Sequence, residues 1–289
     1  MILDIIINGL IGGSIYALLA IGFSLIYGIA RIVNLAHTAF YMVASYCIFV
    51  GTSKLGIHPG WAMLAAVFLV TLLGLISYKL FIDPIREHEA AVLIATIALA
   101  IALQEVMLLI FTGDYLSVPS LIDGYRTIFR VKVFNQQMLT FGAALAILAA
   151  LWLLLKKTRL GLAIRSTAED REVANLMGMN ESRVAMITMG ISVGLAALTG
   201  AVIVPLTTLS PFMWMPPMIM MMAVVVLGGM GSIKGSFAGG YILGFAESLV
   251  VFLIPMGAFL KGSVALSIMI LVLVIRPEGL FGIAFEEER

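Results

Sequence analysis

The run "IIINGLIGGSIYALLAIGFSLIYGIA", residues 5–30, contains no charged side chain. About 20 such residues cross the hydrocarbon core of a bilayer as a helix. Lipid offers no hydrogen-bond partners, so a single spanning run must satisfy its own N–H and C=O groups, which only a helix does. Residues 5–30 therefore read as a transmembrane helix. The first basic residue is Arg31, at the far end of the run. Without the basic start of a secretory signal, the run is expected to be retained.

Comparable apolar runs follow at roughly 38–53, 60–82, 90–112, 137–155, 184–206, 217–254 and 258–275. The 38–53 run is short. The 217–254 run is long and is interrupted by "GGMGSIKG", 228–235, which reads either as a turn between two short spans or as part of a re-entrant pair. The expected fold class is all-α: a polytopic transmembrane helical bundle of about eight or nine spans with one broken or re-entrant helix pair. Composition agrees, with 62% hydrophobic and 11% charged residues. Soluble proteins carry about 25% charged residues, so a soluble domain is excluded. No low-complexity or linker-like tract interrupts the chain, and residues 1–289 are expected to form a single transmembrane domain.

Lys and Arg concentrate in cytoplasmic loops. If 156–183 is cytoplasmic, alternation of the spans puts Arg31, Lys79, Arg86, Lys156, Lys157, Arg159, Arg165, Arg171, Arg183, Arg276 and Arg289 on that side. Lys54, Arg126, Arg130, Lys132 and Lys261 fall on the other side, and Lys234 stays unassigned. The bias predicts an N-terminus outside and a C-terminus in the cytoplasm. Within the spans, small residues recur every four positions: Gly9, Gly13, Ala17; Gly190, Gly194; Ser236, Gly240, Gly244, Ser248. Such stripes let helices approach closely. They serve either packing within one bundle or a subunit interface.

Catalytic chemistry has no residues to rest on. The phosphate-loop pattern needs Gly before its Lys and Ser or Thr after it. Lys234 instead stands between Ile233 and Gly235, so the chain carries no ATP-hydrolysing machinery of its own. Cys47 is the single cysteine, and His37, His58 and His88 fall at span ends or in loops without a second metal-ligand type at suitable spacing. No catalytic residue, metal, cofactor or nucleic-acid partner is expected. Two acids lie within spans, Glu105 and Glu247. A central acid costs about 2.5–3.5 kcal/mol on insertion scales. Each therefore marks either a translocation path or proton site, or an interhelical hydrogen bond. Asn34 is placed to cap the second helix. The stretches 113–137 and 204–218 read as an outer loop and a proline-rich rim.

The polar stretch "KKTRLGLAIRSTAEDREVANLMGMNESR", 156–183, has more internal order than a loop requires. Ser166 and Glu169 fit a capping box, which satisfies two orphan N–H groups at a helix start. Glu169, Asp170 and Glu172 suit the positive end of the helix dipole. Val173, Leu176 and Met177 form an apolar stripe, Gly178 fits a left-handed helix stop, and Asn180 can open the next helix. A short capped helix with an apolar face seeks a partner groove, unless it packs on its own chain.

"EVANLMG", 172–178, follows the E-x-A-x-x-x-G core of the coupling loop of ABC-importer permeases. The longer "TRLGLAIRSTAEDREVANLMGMNESRV" (158–184) resembles that loop in branched-chain amino acid permeases. "NGLIGGSIYALLAIGFSLIYGIARIVNLAHTAFYMVASY" (8–46), "LGGMGSIKGSFAGGYILGFAESL" (227–249) and "RPEGLFG" (276–282) resemble the opening and closing segments of the LivH type. The order of the four matches is the family's, with Lys234 at a position where proline is expected. The resemblance implies a permease subunit that moves branched-chain or related hydrophobic amino acids across a prokaryotic cytoplasmic (inner) membrane. It implies as partners a second, LivM-like permease subunit, two cytoplasmic ATPase subunits and an external substrate-binding protein. It assigns ATPase coupling to Glu172, Ala174, Leu176, Met177 and Gly178. The alternative is a proton-coupled secondary transporter using Glu105 or Glu247.

Overall fold

The computed structural model describes residues 2–128 and 131–282, with the backbone alone for residues 128, 131, 171 and 172. In chain order the elements are α1 (Ile2–Ala30), α2 (His37–Phe49), α3 (Pro59–Ser77), α4 (Glu89–Phe111), β1 (Tyr125–Ile128), β2 (Val131–Phe134), α5 (Asn135–Lys157), α6 (Arg159–Glu169), α7 (Arg171–Leu176), α8 (Glu181–Ile203), α9 (Met215–Gly228), α10 (Ile233–Leu253) and α11 (Lys261–Ile275). Strands β1 and β2 form an antiparallel hairpin with Tyr125 opposite Phe134, where the sequence suggested only a loop.

Seven of the described helices are long and apolar enough to cross a membrane. The protein is a polytopic helical bundle. Helix α9 has 14 residues, about 20 Å at the α-helical rise, and α2 has 13 before it runs on into a π-helical turn at Val50–Lys54. The long 217–254 run is a helical hairpin of α9 and α10. Gly229 and Gly231 turn it, with φ of +95° and +82°, a region that favours glycine because it has no Cβ. The two helices then close on each other, so that a Cβ on Gly239 would lie 2.8 Å from the Val224 carbonyl oxygen.

Both short helices start inside the bundle. Ahead of α9, Leu209 and Trp214 are buried. Leu209 exchanges backbone hydrogen bonds with Leu116 at 2.8 and 3.1 Å, and the Trp214 indole N–H donates to Gln104 Oε1 at 2.8 Å. Gln104 lies seven residues from the end of α4, so α9 begins about 10 Å below that end. The proline-rich stretch is thus a descending segment, not a rim. Ahead of α2, Asn34 Oδ1 accepts from the Ala36 N–H at 3.1 Å. The expected side-chain cap does not form: Ala36 is the N-cap and has no side-chain hydrogen bond, and Asn34 instead closes a turn just before the helix. Leu35 N–H donates to Thr96 Oγ1, and Thr96 Oγ1 donates to the Val33 carbonyl. Non-helical backbone at such depth is stable only where protein surrounds it, and these side chains supply its partners.

Helix α1 is the hub, packed against α8, α9 and α10. Its most apolar window is 83% buried, against 6% for that of the peripheral span ending in α11. The small-residue stripes explain why. Gly9, Gly13 and Ala17 face Gly240 and Gly244, and a Cβ on Gly240 would stand 2.7 Å from the Ala17 amide nitrogen. Ser24 and Ser236 hydroxyls bond across the same seam at 2.5 Å, and Ser14 bonds the Tyr241 hydroxyl at 2.8 Å. Gly190 and Gly194 lie against Leu75 and Thr71 of α3. The stripes therefore serve packing inside one bundle.

Gly28 at the close of α1 sits against Gly231 and Ala168. The start of α10 and the α6–α7 segment therefore share one end of the bundle, and the β1–β2 hairpin lies at the other. Lys234, which alternation alone left unassigned, belongs to the α7 end and is exposed there.

Candidate functional site

The segment 156–183 is two helices, not one. Thr158 caps α6, its Oγ1 accepting from the Gly161 N–H at 3.0 Å. Ser166 lies inside α6 and Glu169 is its last residue, so the expected capping box does not form. The chain breaks instead at Asp170, in extended conformation, whose side chain caps α7 by accepting from the Val173 N–H at 3.0 Å. Asp is as good an N-cap as Ser, and Thr158 had already started a helix through Ser166.

The far end of α7 follows expectation. Gly178 has φ of +84°. Its N–H donates to the Asn175 carbonyl at 2.9 Å, and Met179 N–H donates to the Ala174 carbonyl at 3.0 Å. This paired closure is the Schellman motif. Asn180 then caps α8 by accepting from the Arg183 N–H at 3.0 Å. A six-residue helix has little stability of its own, so these fixed ends and its packing hold it. Asp170→Ala is expected to cost about 1 kcal/mol locally. Faster amide exchange at Val173 to Met177, with Asp170→Asn close to wild type, would show it.

The α7 side chains divide into two roles. Ala174 is buried, at 3% exposure, and seats the helix against its own chain. Val173, Leu176 and Met177 are 53%, 86% and 76% exposed, so the apolar stripe points away from the bundle. The side chain of Glu172 lies outside those described. Gly178 supplies the left-handed stop, and the space where a Cβ would stand is open.

The two span acids are not brought together. Glu105 is exposed on the surface of α4, where Gln104 Nε2 donates to its Oε1 at 3.1 Å. Glu247 is buried at 8% exposure. Its Oε2 accepts from the Tyr16 hydroxyl at 2.5 Å and its Oε1 pairs with Lys261 Nζ at 2.7 Å. The interhelical role is thus present for Glu247, joining α10 to α1 and α11. These three residues line a cavity of about 340 Å³ that also takes in Asn8, Ile11, Ile15 and Val251. Sequence reading missed Tyr16 and Lys261. The one available signal was that a buried acid normally has a paired cation, and Lys261 opens the next span.

His37 stands at the start of α2, as expected of a span end, yet is fully buried, with Nδ1 3.3 Å from the Ser192 hydroxyl. His58 caps α3, its Nδ1 accepting from the Gly60 N–H at 3.2 Å. Among the described residues no three metal-binding side chains cluster.

A model of the family "Branched-chain amino acid transport system / permease component" matches residues 5–275. The chain is 33% identical to the high-affinity branched-chain amino acid transport system permease protein LivH of Escherichia coli K12, over 95% of this chain and 94% of that one. It is 31% identical to BraD of Pseudomonas aeruginosa, over 96% and 94%, and 30% identical to a probable LivH of Methanocaldococcus jannaschii, over 97% and 92%. Among solved structures, PsaBC from Streptococcus pneumoniae in complex with Fab aligns with a TM-score of 0.54 at 17% identity, covering 94% of this chain and 91% of that one. That likeness shows a shared fold. With apolar helices fit to span a membrane, a capped helix displaying apolar side chains at one end, and sequence identity along nearly its whole length, the chain belongs to the LivH-type permease components of branched-chain amino acid ABC importers.

Proposed function

We propose that this permease moves branched-chain or related hydrophobic amino acids across the cytoplasmic membrane of a prokaryote, with the whole chain acting as one transmembrane domain. The driving ATPases are separate: two cytoplasmic subunits dock on α7 and on its counterpart in a second, LivM-like permease subunit. An external binding protein delivers the substrate, and hydrolysis resides in the ATPases. The observation that carries this reading is the exposed apolar face of α7 on a helix fixed at both ends. ATP-driven closure of an ATPase dimer needs a stiff lever with a groove-filling face, and α7 supplies one.

The same reading orients the protein. Lys156, Lys157, Arg183, Lys234 and Arg276 share the α7 end, and basic residues mark the cytoplasmic side. The N-terminus then lies outside and the C-terminus inside. Proton-coupled transport through Glu247 is not favoured, because the carboxylate is engaged by Lys261 and Tyr16.

In proteoliposomes holding the full complex, uptake is expected to require ATP and to persist with a protonophore. Ala174→Trp, which unseats α7, and Gly178→Val, strained at positive φ, are both expected to abolish coupled uptake in inserted permease. Unchanged ATP-driven uptake in both variants would remove α7 from coupling. Uptake abolished by the protonophore and indifferent to ATP would instead establish the proton-driven mechanism.

A further inference from the structure

The geometry points to the Glu247–Lys261 pair as a transit station for a zwitterionic amino acid: we propose that the ligand inserts between the two charges, its ammonium on Glu247 and its carboxylate on Lys261. The inference rests on the importer reading above and gives it a site. Three features of the cavity support it.

First, the pair does not close off a packed core but lines the open volume of about 340 Å³, the lower end of the size range of small-molecule sites. Second, its two members differ in mobility. Glu247 is buried and also held by Tyr16, whereas the Lys261 side chain is 50% exposed and can swing on its long stem. Third, Ile11, Ile15 and Val251 give the same cavity an apolar wall, which suits a hydrophobic side chain.

Charge balance explains why a zwitterion fits and its relatives do not. When empty, the site holds one anion and one cation, each satisfying the other. Inserting a zwitterion replaces one ion pair by two, so no charge is left unpaired in the low-dielectric interior. An amine without a carboxylate would strand Lys261, and a carboxylic acid without an amine would strand Glu247. Because the ligand must displace an existing pair, net affinity is small. A station fed by a binding protein needs no more, and must release its cargo. Glu247 lies six residues from the end of α10 at the hairpin side, about 9 Å below that end, within the half of the bundle that the importer reading places outside.

Saturation-transfer NMR on the assembled complex without binding protein tests the station directly, using leucine, leucinamide and 4-methylpentanoate as probes. Leucine is expected to bind in the millimolar range and the other two at least tenfold more weakly. Glu247→Gln is expected to weaken leucine by about thirtyfold, the lower end for removing one partner of a buried hydrogen-bonded charge. Lys261→Met is expected to weaken it roughly fivefold, less because solvent screens the half-exposed lysine. The double exchange E247K/K261E separates station from staple. A purely structural pair would regain both assembly and uptake when reversed. A station would regain assembly but not uptake, since the reversed ligand turns its side chain away from the apolar wall. Full uptake by the exchanged variant overturns the station, as does leucine binding unchanged in Glu247→Gln and Lys261→Met, in each case with the importer reading intact. A wild-type complex with no ATP-driven uptake overturns both.

Discussion

Replacing Leu176 and Met177 together by lysine is expected to abolish ATP-driven uptake while leaving the permease inserted and α7 folded. Both side chains are largely exposed, so neither change opens a cavity, and surface substitutions of this kind usually shift stability by less than about 0.5 kcal/mol. Lysine is chosen over aspartate because a cation suits the C-terminal end of a helix. What the change removes is the apolar face. An anchor that fills a partner's groove contributes about 2 kcal/mol or more, and neighbouring anchors do not add in full, so the double variant should bind the ATPase between about thirtyfold and a thousandfold more weakly. Co-purification of the ATPase with tagged permease measures the loss, and amide exchange at Val173 to Leu176 confirms that the helix persists. ATPase retained at wild-type levels would show that the subunits dock elsewhere.

The second large effect lies in the seam between α1 and α10. Gly240→Leu is expected to prevent assembly of the bundle. Even its first added carbon would stand 2.7 Å from the Ala17 amide nitrogen and 2.8 Å from the Ala17 Cα. Overpacking against movable side chains costs about 1–3 kcal/mol. Here the obstacle is the backbone of the central helix, so both helices must separate and the Ser24–Ser236 bond must break. Gly142→Leu in α5 is the control, because a Cβ there meets nothing within 4 Å. Gel filtration in detergent should show a monodisperse control and an aggregated or degraded Gly240 variant. A well-behaved Gly240→Leu protein would mean that the seam is looser than the structure has it.

Much of the candidate site was legible in the sequence, for local reasons. Helix ends depend on residues a few positions apart, so Gly178 and Asn180 could be assigned their roles from spacing alone. Ser166 was misassigned for an equally local reason. Ser-x-x-Glu and Asp170 followed by Val173 are competing helix starts of similar strength, and the helix begun at Thr158 decided between them. The exposure of Leu176 and Met177 and the burial of Ala174 depend on how α7 leans on its own chain. The cavity was not legible: Tyr16 lies on α1, far in sequence from Glu247, and although Lys261 opens the helix after α10, only packing brings the three side chains together.

The sequence by itself determined that the chain is a bundle of membrane-spanning helices, and nearly where each begins and ends. A bilayer imposes that much on any single run of apolar residues, because the backbone must bond within it. It could not determine from hydrophobicity which helices occupy the centre. Lipid tails and a protein interior are equally apolar, so α1 and α11 look alike on that scale although one is buried and the other is not. Only the tertiary structure decided this, through the close approach that Gly13, Gly240 and Gly244 permit. That same packing brought the Glu247 carboxylate to the Lys261 ammonium and left a cavity between the helices that carry them.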